Sequence, residues 1–293
     1  MKIGDIYANG RFALSFEVFP PKTEQGLEPM FRSVEALTKY RPGFISCTYG
    51  AGGSTRDQTL DIVTRIRSRW NISTTAHFTC VGSTIADIRG WLGRAKDLGV
   101  ENIMALRGDP PQGQKSFQAV EGGLRYASEL VALIKKEFPN FGMGVAGYPE
   151  THQDALNPES DLENLKRKID AGGDAVFTQL FYDNVDFFRF RDQCEKIGIH
   201  APIIPGILPV LSLAQVQRIT SLCKAKLPET LLEKLRACGD DANRQIDVGV
   251  EHASMQCAGL LREGVAGIHF YVLNRSEPTC RILENVAELL PTS

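Results

Sequence analysis

The sequence predicts a single (β/α)8 barrel, an α/β fold, over residues 1–293. Short β-branched runs alternate eight times with amphipathic helical stretches. Strict strand-then-helix order implies parallel strands joined by right-handed crossovers. Eight such units in a chain of 293 residues match the size of one closed barrel. An open doubly wound sheet is the structural competitor, and it usually has fewer strands.

The expected strands are Ala13–Phe19, Phe44–Tyr49, Thr74–Cys80, Asn102–Arg107, Gly142–Tyr148, Ala175–Leu180, Ile203–Leu208 and Gly267–Leu273. Helical periodicity follows them, for example at Leu27–Tyr40, Thr84–Leu98, Leu124–Phe138, Leu162–Ala171, Val185–Ile197 and Ser276–Leu290. Gly99, Gly172, Gly198 and Gly264 stand where helices should stop. The stretch from Lys224 to Ile246 is too long for a simple connection, so Pro228–Ala237 is expected to add a helix. The run Gly142–Gly147 matches GxGxxG, but its glycines lie inside an apolar run and Tyr148-Pro149-Glu150 follows instead of a helix. Small residues making room inside a barrel explain it better than a dinucleotide loop.

Lys and Arg number 33 against 35 Asp and Glu, a net charge of −2, so no bulk nucleic-acid binding is expected. No apolar run approaches the roughly 18 residues of a membrane span, and the N-terminus lacks a signal-peptide pattern. The 7 cysteines are scattered and form no CxxC, the usage of a reduced compartment. No HExxH or other metal-ligand spacing is present, so no metal is expected. A cytoplasmic enzyme is the expectation.

Active sites of such barrels lie where strands run into the loops that follow them. Polar residues sit there on nearly every strand. Alternation puts Ser15, Glu17 and Phe19 on the interior face and Leu14, Phe16 and Val18 toward the helices. Glu17 is then a carboxylate near the mouth, whose pKa desolvation should raise, making it a proton donor; an alternative is a structural pairing with arginine. Arg107-Gly108-Asp109 could set a cation toward phosphate and a carboxylate toward a ring N–H, or form a surface turn with an internal ion pair. Lys166, Arg167 and Lys168 cannot all face one way, yet Asp161, Asn164 and Lys168 share a helix face that could reach a polar ligand. His77, His152 and Gln179 each fit either a structural or a ligand-facing role.

Together these segments resemble the methylenetetrahydrofolate reductase family. The resemblance is carried by SFEVFPPK (Ser15–Lys22), TYGA (Thr48–Ala51), ALRGDP (Ala105–Pro110), YPETH (Tyr148–His152), NLKRKIDA (Asn164–Ala171), Thr178-Gln179, IPGILPV (Ile204–Val210) and FYVLNR (Phe270–Arg275). It implies a barrel holding FAD, with one site serving NADH or NADPH and then methylenetetrahydrofolate. Hydride passes to flavin N5 and onward to the folate methylene carbon. By resemblance Glu17 is the general acid that protonates folate N10. Asp109 stabilises the cationic 5-iminium form, and Asp109, Gln179, Gln215 and Arg275 contact folate. The cofactor set carried over is Thr48, Tyr49, Ala51, His77, Arg107, Gly108, Asp109 and Tyr126. It continues through Ala127, Tyr148, His152, Ala155, Asp161, Asn164, Arg167 and Lys168. Of these, Arg107, Arg167 and Lys168 suit the phosphates. A phenylalanine that stacks on substrate in some relatives falls near Ile219 here. The resemblance also implies a homo-oligomer. Without the C-terminal regulatory domain of longer relatives, no S-adenosylmethionine feedback is expected. The alternatives are a reductase whose flavin is reduced by a partner protein, and a folate- or flavin-binding barrel without turnover.

Overall fold

The computed structural model describes residues 1–49, 56–109 and 119–291. All sheet pairings are parallel, and the nine strands run in the order β7-β6-β5-β4-β3-β2-β1-β9-β8. The strands are β1 (Ala13–Val18), β2 (Phe44–Cys47), β3 (Thr74–Thr79), β4 (Asn102–Leu106), β5 (Gly142–Gly147), β6 (Ala175–Thr178), β7 (Ile203–Ile204), β8 (Gly206–Ile207) and β9 (Gly267–Tyr271).

The expected seventh strand, Ile203–Leu208, is thus two pieces. Pro205 interrupts it because proline has no N–H to give the ladder. β7 pairs with β6 and β8 with β9, so this broken strand closes the ring and eight barrel positions remain. Most strands end one or two residues earlier than the apolar runs suggest, because the last residues leave the ladder to form the mouth.

The helices are α1 (Ile3–Ile6), α2 (Leu27–Thr38), α3 (Arg56–Trp70), α4 (Ile85–Asp97), α5 (Ala127–Glu137), α6 (Pro158–Asp170), α7 (Asn184–Lys196), α8 (Leu213–Cys223), α9 (Glu229–Ala237), α10 (Ala242–Arg262) and α11 (Ser276–Asn285). α4 starts on a capping box between Thr84 and Asp87. α6 starts earlier than its apolar pattern indicates, because Asn157 caps it and Pro158 occupies the first turn. α9 is the extra helix expected after Pro228. α1 carries too few residues for a periodic signal.

Leu14, Phe16 and Val18 lie in the large core between strands and helices, as alternation requires. A second core fills the closed end of the barrel. There α1 and its flank insert Ile3, Ile6 and Tyr7 against Phe44, Met104, Phe177 and Ile204. The glycine-rich β5 is part of this wall: a Cβ on Gly144 would stand 2.9 Å from both Met104 and Phe177. A third cluster packs α8 and α9 through Val216, Leu231 and Leu235 onto Leu180 and Leu208 beside the mouth. Among the described residues no helix is long and apolar enough to cross a membrane, and no group of three metal-ligating side chains occurs.

Candidate active site

A cavity of about 1040 Å³ opens at the carboxyl ends of the strands. Glu17, Asp109 and Gln179 line it, as do all the expected cofactor residues except Ala51, which lies outside the described residues. Ile219 also reaches its wall. Gln215 and Arg275 do not. The Gln215 carbonyl accepts from Leu211 N at 2.9 Å and its own N–H is capped by Ser212, so it closes the start of α8. Arg275 is exposed at the start of α11.

Glu17 is 15% exposed and stands between two imidazoles. His77 Nε2 lies 3.1 Å from its Oε2, and His269 Nε2 lies 3.4 Å from the same oxygen. The His77 approach is off the line of a hydrogen bond, so that contact is chiefly electrostatic. Ser15 Oγ holds His269 Nδ1 at 2.8 Å and so fixes the ring's other nitrogen toward Glu17. Burial pushes the Glu17 carboxyl up, as expected, but the charge of His77 and the close approach of both imidazoles outweigh it and hold it down at about 2. The expectation of a raised pKa is therefore corrected: Glu17 in the open site is a carboxylate held between two imidazoles.

His269 carries no sequence motif of its own. Its signal is alternation, since Gly267, His269 and Tyr271 share the interior face of β9. Tyr271 was likewise missed. It donates from its hydroxyl to Thr178 O at 2.6 Å and lies over Gly206, where any Cβ would stand 2.8 Å from that hydroxyl. Thr178 leads into Gln179, whose side-chain carbonyl accepts from Leu180 N at 2.9 Å. The amide NH2 of Gln179 is thus the group left for a ligand.

The opposite end of the cavity is cationic. Gly108, at φ +90, turns the chain sharply between Arg107 and Asp109, and a Cβ there would stand 2.6 Å from Val81. Arg107 Nη2 donates to Asp154 at 2.7 Å, so its ion pair is with the β5–α6 loop and not with Asp109. Asp109 is exposed at the rim. On α6, Lys166 turns outward to Asp170, while Arg167 and Lys168 face the cavity with Asp161 and Asn164. Asp161 accepts from His152 N at 2.8 Å and braces that loop. The Lys168 ammonium donates to Ala146 O and sits 5.8 Å from the Tyr148 ring centroid. Burial, with Arg107 adding repulsion and Asp161 opposing both, brings its pKa down from 10.5 to about 8.

A half-buried ammonium held this low has a pH signature of definite sign. The folded pKa lies below the unfolded one, so the penalty is full below pH 8 and gone above 10.5. The ligand-free protein should therefore gain stability as pH rises through that window, by up to about 3 kcal/mol. Lys168→Met should flatten this rise in urea midpoint. It should also weaken binding of an anionic cofactor by about 10–100-fold, one charge-assisted contact. An unchanged pH profile in the variant would refute the assignment.

An eight-stranded parallel barrel whose mouth opens into one large cavity, with a carboxylate between two imidazoles on its wall and cations on α6, defines a class: a (β/α)8 barrel protein with its candidate site at the strand carboxyl ends. The chain belongs to the methylenetetrahydrofolate reductase family, whose model, "Methylenetetrahydrofolate reductase", matches residues 2–287. It is 40% identical over 295 residues to "Methylenetetrahydrofolate reductase (NADH) 1" of Arabidopsis thaliana, covering 97% of this chain and 50% of the relative. It thus spans about half the length of such plant relatives. It is 38% identical over 268 residues to "5,10-methylenetetrahydrofolate reductase" of Escherichia coli, covering 92% of this chain and 88% of that one. Among solved structures, an "Uncharacterized protein from Clostridium thermocellum" that binds two copies of 5-methyl-5,6,7,8-tetrahydrofolic acid superimposes with a TM-score of 0.65. It covers 97% of this chain and 98% of its own at 16% identity, which is a likeness of fold.

Proposed function

We propose that this protein reduces 5,10-methylenetetrahydrofolate to 5-methyltetrahydrofolate, using FAD that NADH or NADPH reduces. The observation that carries this reading is Glu17, paired with two imidazoles at the floor of a cavity whose other end is cationic. Family membership supplies the substrate class.

The residues present fit FAD. Arg107, Arg167 and Lys168 would face its phosphates. Tyr148, His152, Asp161 and Asn164 build the loop and helix around them. Thr48, Tyr49, His77 and Gly108 line the inner part, where close backbone approach suits a flat ring. Tyr126, Ala127 and Ala155 flank the outer part. When bound, the flavin supplies two-electron hydride transfer in both directions.

The chain's own residues do the rest. Each turnover adds one hydride and one proton to the folate. The Glu17 cluster delivers the proton to N10, opening the five-membered ring. Asp109 sets a negative charge beside the cation that results. Gln179 orients the pterin through its free NH2. Gln215 and Arg275, at the starts of α8 and α11, are kept as the proposed contacts to the outer part of the folate, although neither lines the ligand-free cavity. The described cysteines are all free thiols, which suits a reducing cytoplasm, and we expect a homo-oligomer.

The visible absorption spectrum of the purified protein tests the reading first. Oxidised-flavin bands are expected, bleached anaerobically by NADH or NADPH and restored by methylenetetrahydrofolate. A colourless protein that takes up no flavin would overturn the proposal. A yellow protein that neither nucleotide bleaches would move the electron donor to a partner protein.

A further inference from the structure

The interior of the barrel around Glu17 carries several buried polar side chains. Ser15, Ser46, Thr75 and His269 are all at most 1% exposed, and Tyr7 is 4% exposed. Register places Ser46 level with Glu17 on β1 and with Thr75 on β3, so the three share the inward face. The hydroxyls of Tyr7, Ser46 and Thr75 find no hydrogen-bond partner among the described residues. Ser15 is close enough to Tyr7 to act on its hydroxyl electrostatically, though no well-formed bond joins them. Burying a hydroxyl without a partner is costly, and a polar pocket with several such groups is the kind of place that holds ordered water.

Tyr7, Ser15, His269 and Glu17 follow one another, with Ser46 and Thr75 level with Glu17. Tyr7 flanks α1 at the closed end of the barrel. Ser15 bonds His269 at 2.8 Å, and His269 reaches Glu17 at 3.4 Å. A cleft of about 660 Å³ is lined by Ile6, Ala13 and Leu14, but not by Tyr7 or Ser15 themselves.

We propose that water bound by Ser46 and Thr75 beside Glu17 and by Tyr7 beside Ser15 completes, with Ser15 and His269, a proton path through the barrel interior to Glu17. The inference rests on the folate-reductase reading for its purpose. Folate reduction consumes one proton per turnover, and two stacked heterocycles would shut the mouth against solvent. In the path, a solvent proton reaches Ser15 Oγ through the core water. The Ser15 proton passes to His269 Nδ1 as the Nε2 proton passes to the Glu17 carboxylate. One proton moves and nothing is oxidised or reduced.

A high-resolution crystal structure of the protein decides the hydration. Density for water within hydrogen-bond reach of Ser46 Oγ and Thr75 Oγ1 is expected, and Thr75→Val should lose it. A dry core overturns the proposal whether or not the enzyme reduces folate. Tyr7→Phe tests the path in rapid-mixing experiments. The folate half-reaction should slow about 10-fold with an enlarged solvent deuterium isotope effect, while nicotinamide still bleaches the flavin at the wild-type rate. A folate step with unchanged rate and isotope effect in a folded Tyr7→Phe variant overturns the path. If the wild type reduces no folate, the enzyme reading fails and the path fails with it, while the crystallographic water still reports on the core.

Discussion

Glu17→Gln should lower the rate of folate reduction by about 10²–10⁴-fold, the usual worth of a positioned general acid. The amide keeps the shape of the carboxyl and can still meet His77 and His269, so the barrel should fold. It cannot accept a proton and pass it on. Reduction of bound flavin by NADH or NADPH adds no proton to folate and should stay near the wild-type rate. The split between half-reactions is what identifies the role. Loss of both would mean that Glu17 builds the cavity, and retention of full folate reduction would remove it from the chemistry. The depressed pKa adds a second signature. Glu17 at about 2 in the folded chain stabilises the protein above its ordinary 4.5 and loses that contribution as pH falls toward 2. Glu17→Gln should erase this part of the acid-unfolding profile.

Asp109→Asn should impair folate reduction by about 10–1000-fold, as expected when one electrostatic contact to a transition-state cation, about 1.4–4 kcal/mol, is lost. Asp109 is placed by the turn at Gly108, one residue beyond an arginine whose charge is already taken by Asp154. Among the described residues no ion pair joins Asp109 to Arg107, and Asp109 is exposed at the rim, where we propose that its carboxylate meets the ligand. Asparagine matches its size and can still hydrogen-bond, so only the charge changes. Stopped-flow measurement of reduced enzyme mixed with methylenetetrahydrofolate reads the effect directly. A variant that reoxidises at the wild-type rate would reject the assignment.

Much of the site was legible in the sequence because it lies where strand runs end. Arg107, Asp109 and His152 follow apolar strand runs, Asn164, Arg167 and Lys168 share a face of the helix after β5, and all six line one cavity. Alternation also assigned the two faces of β1 correctly, since each residue's side is fixed by a period of two. Gln215 and Arg275 were carried over by resemblance, and neither side chain reaches the cavity: one caps α8 and the other is exposed. Sequence position placed them near the mouth, but the direction of a side chain at a helix start depends on how that helix is docked.

The order of residues alone determined the parallel barrel, its rim and most of the groups on it, because periodicity and punctuation are local properties of the chain. Tertiary structure alone decided that His269 would meet Glu17 from 252 residues away and turn a carboxyl expected to be a weak acid into an ionised partner of two imidazoles. It likewise decided that a proline break would close the ring. Charge state and ring closure depend on which distant strands become neighbours, and no local pattern encodes the field that those neighbours create.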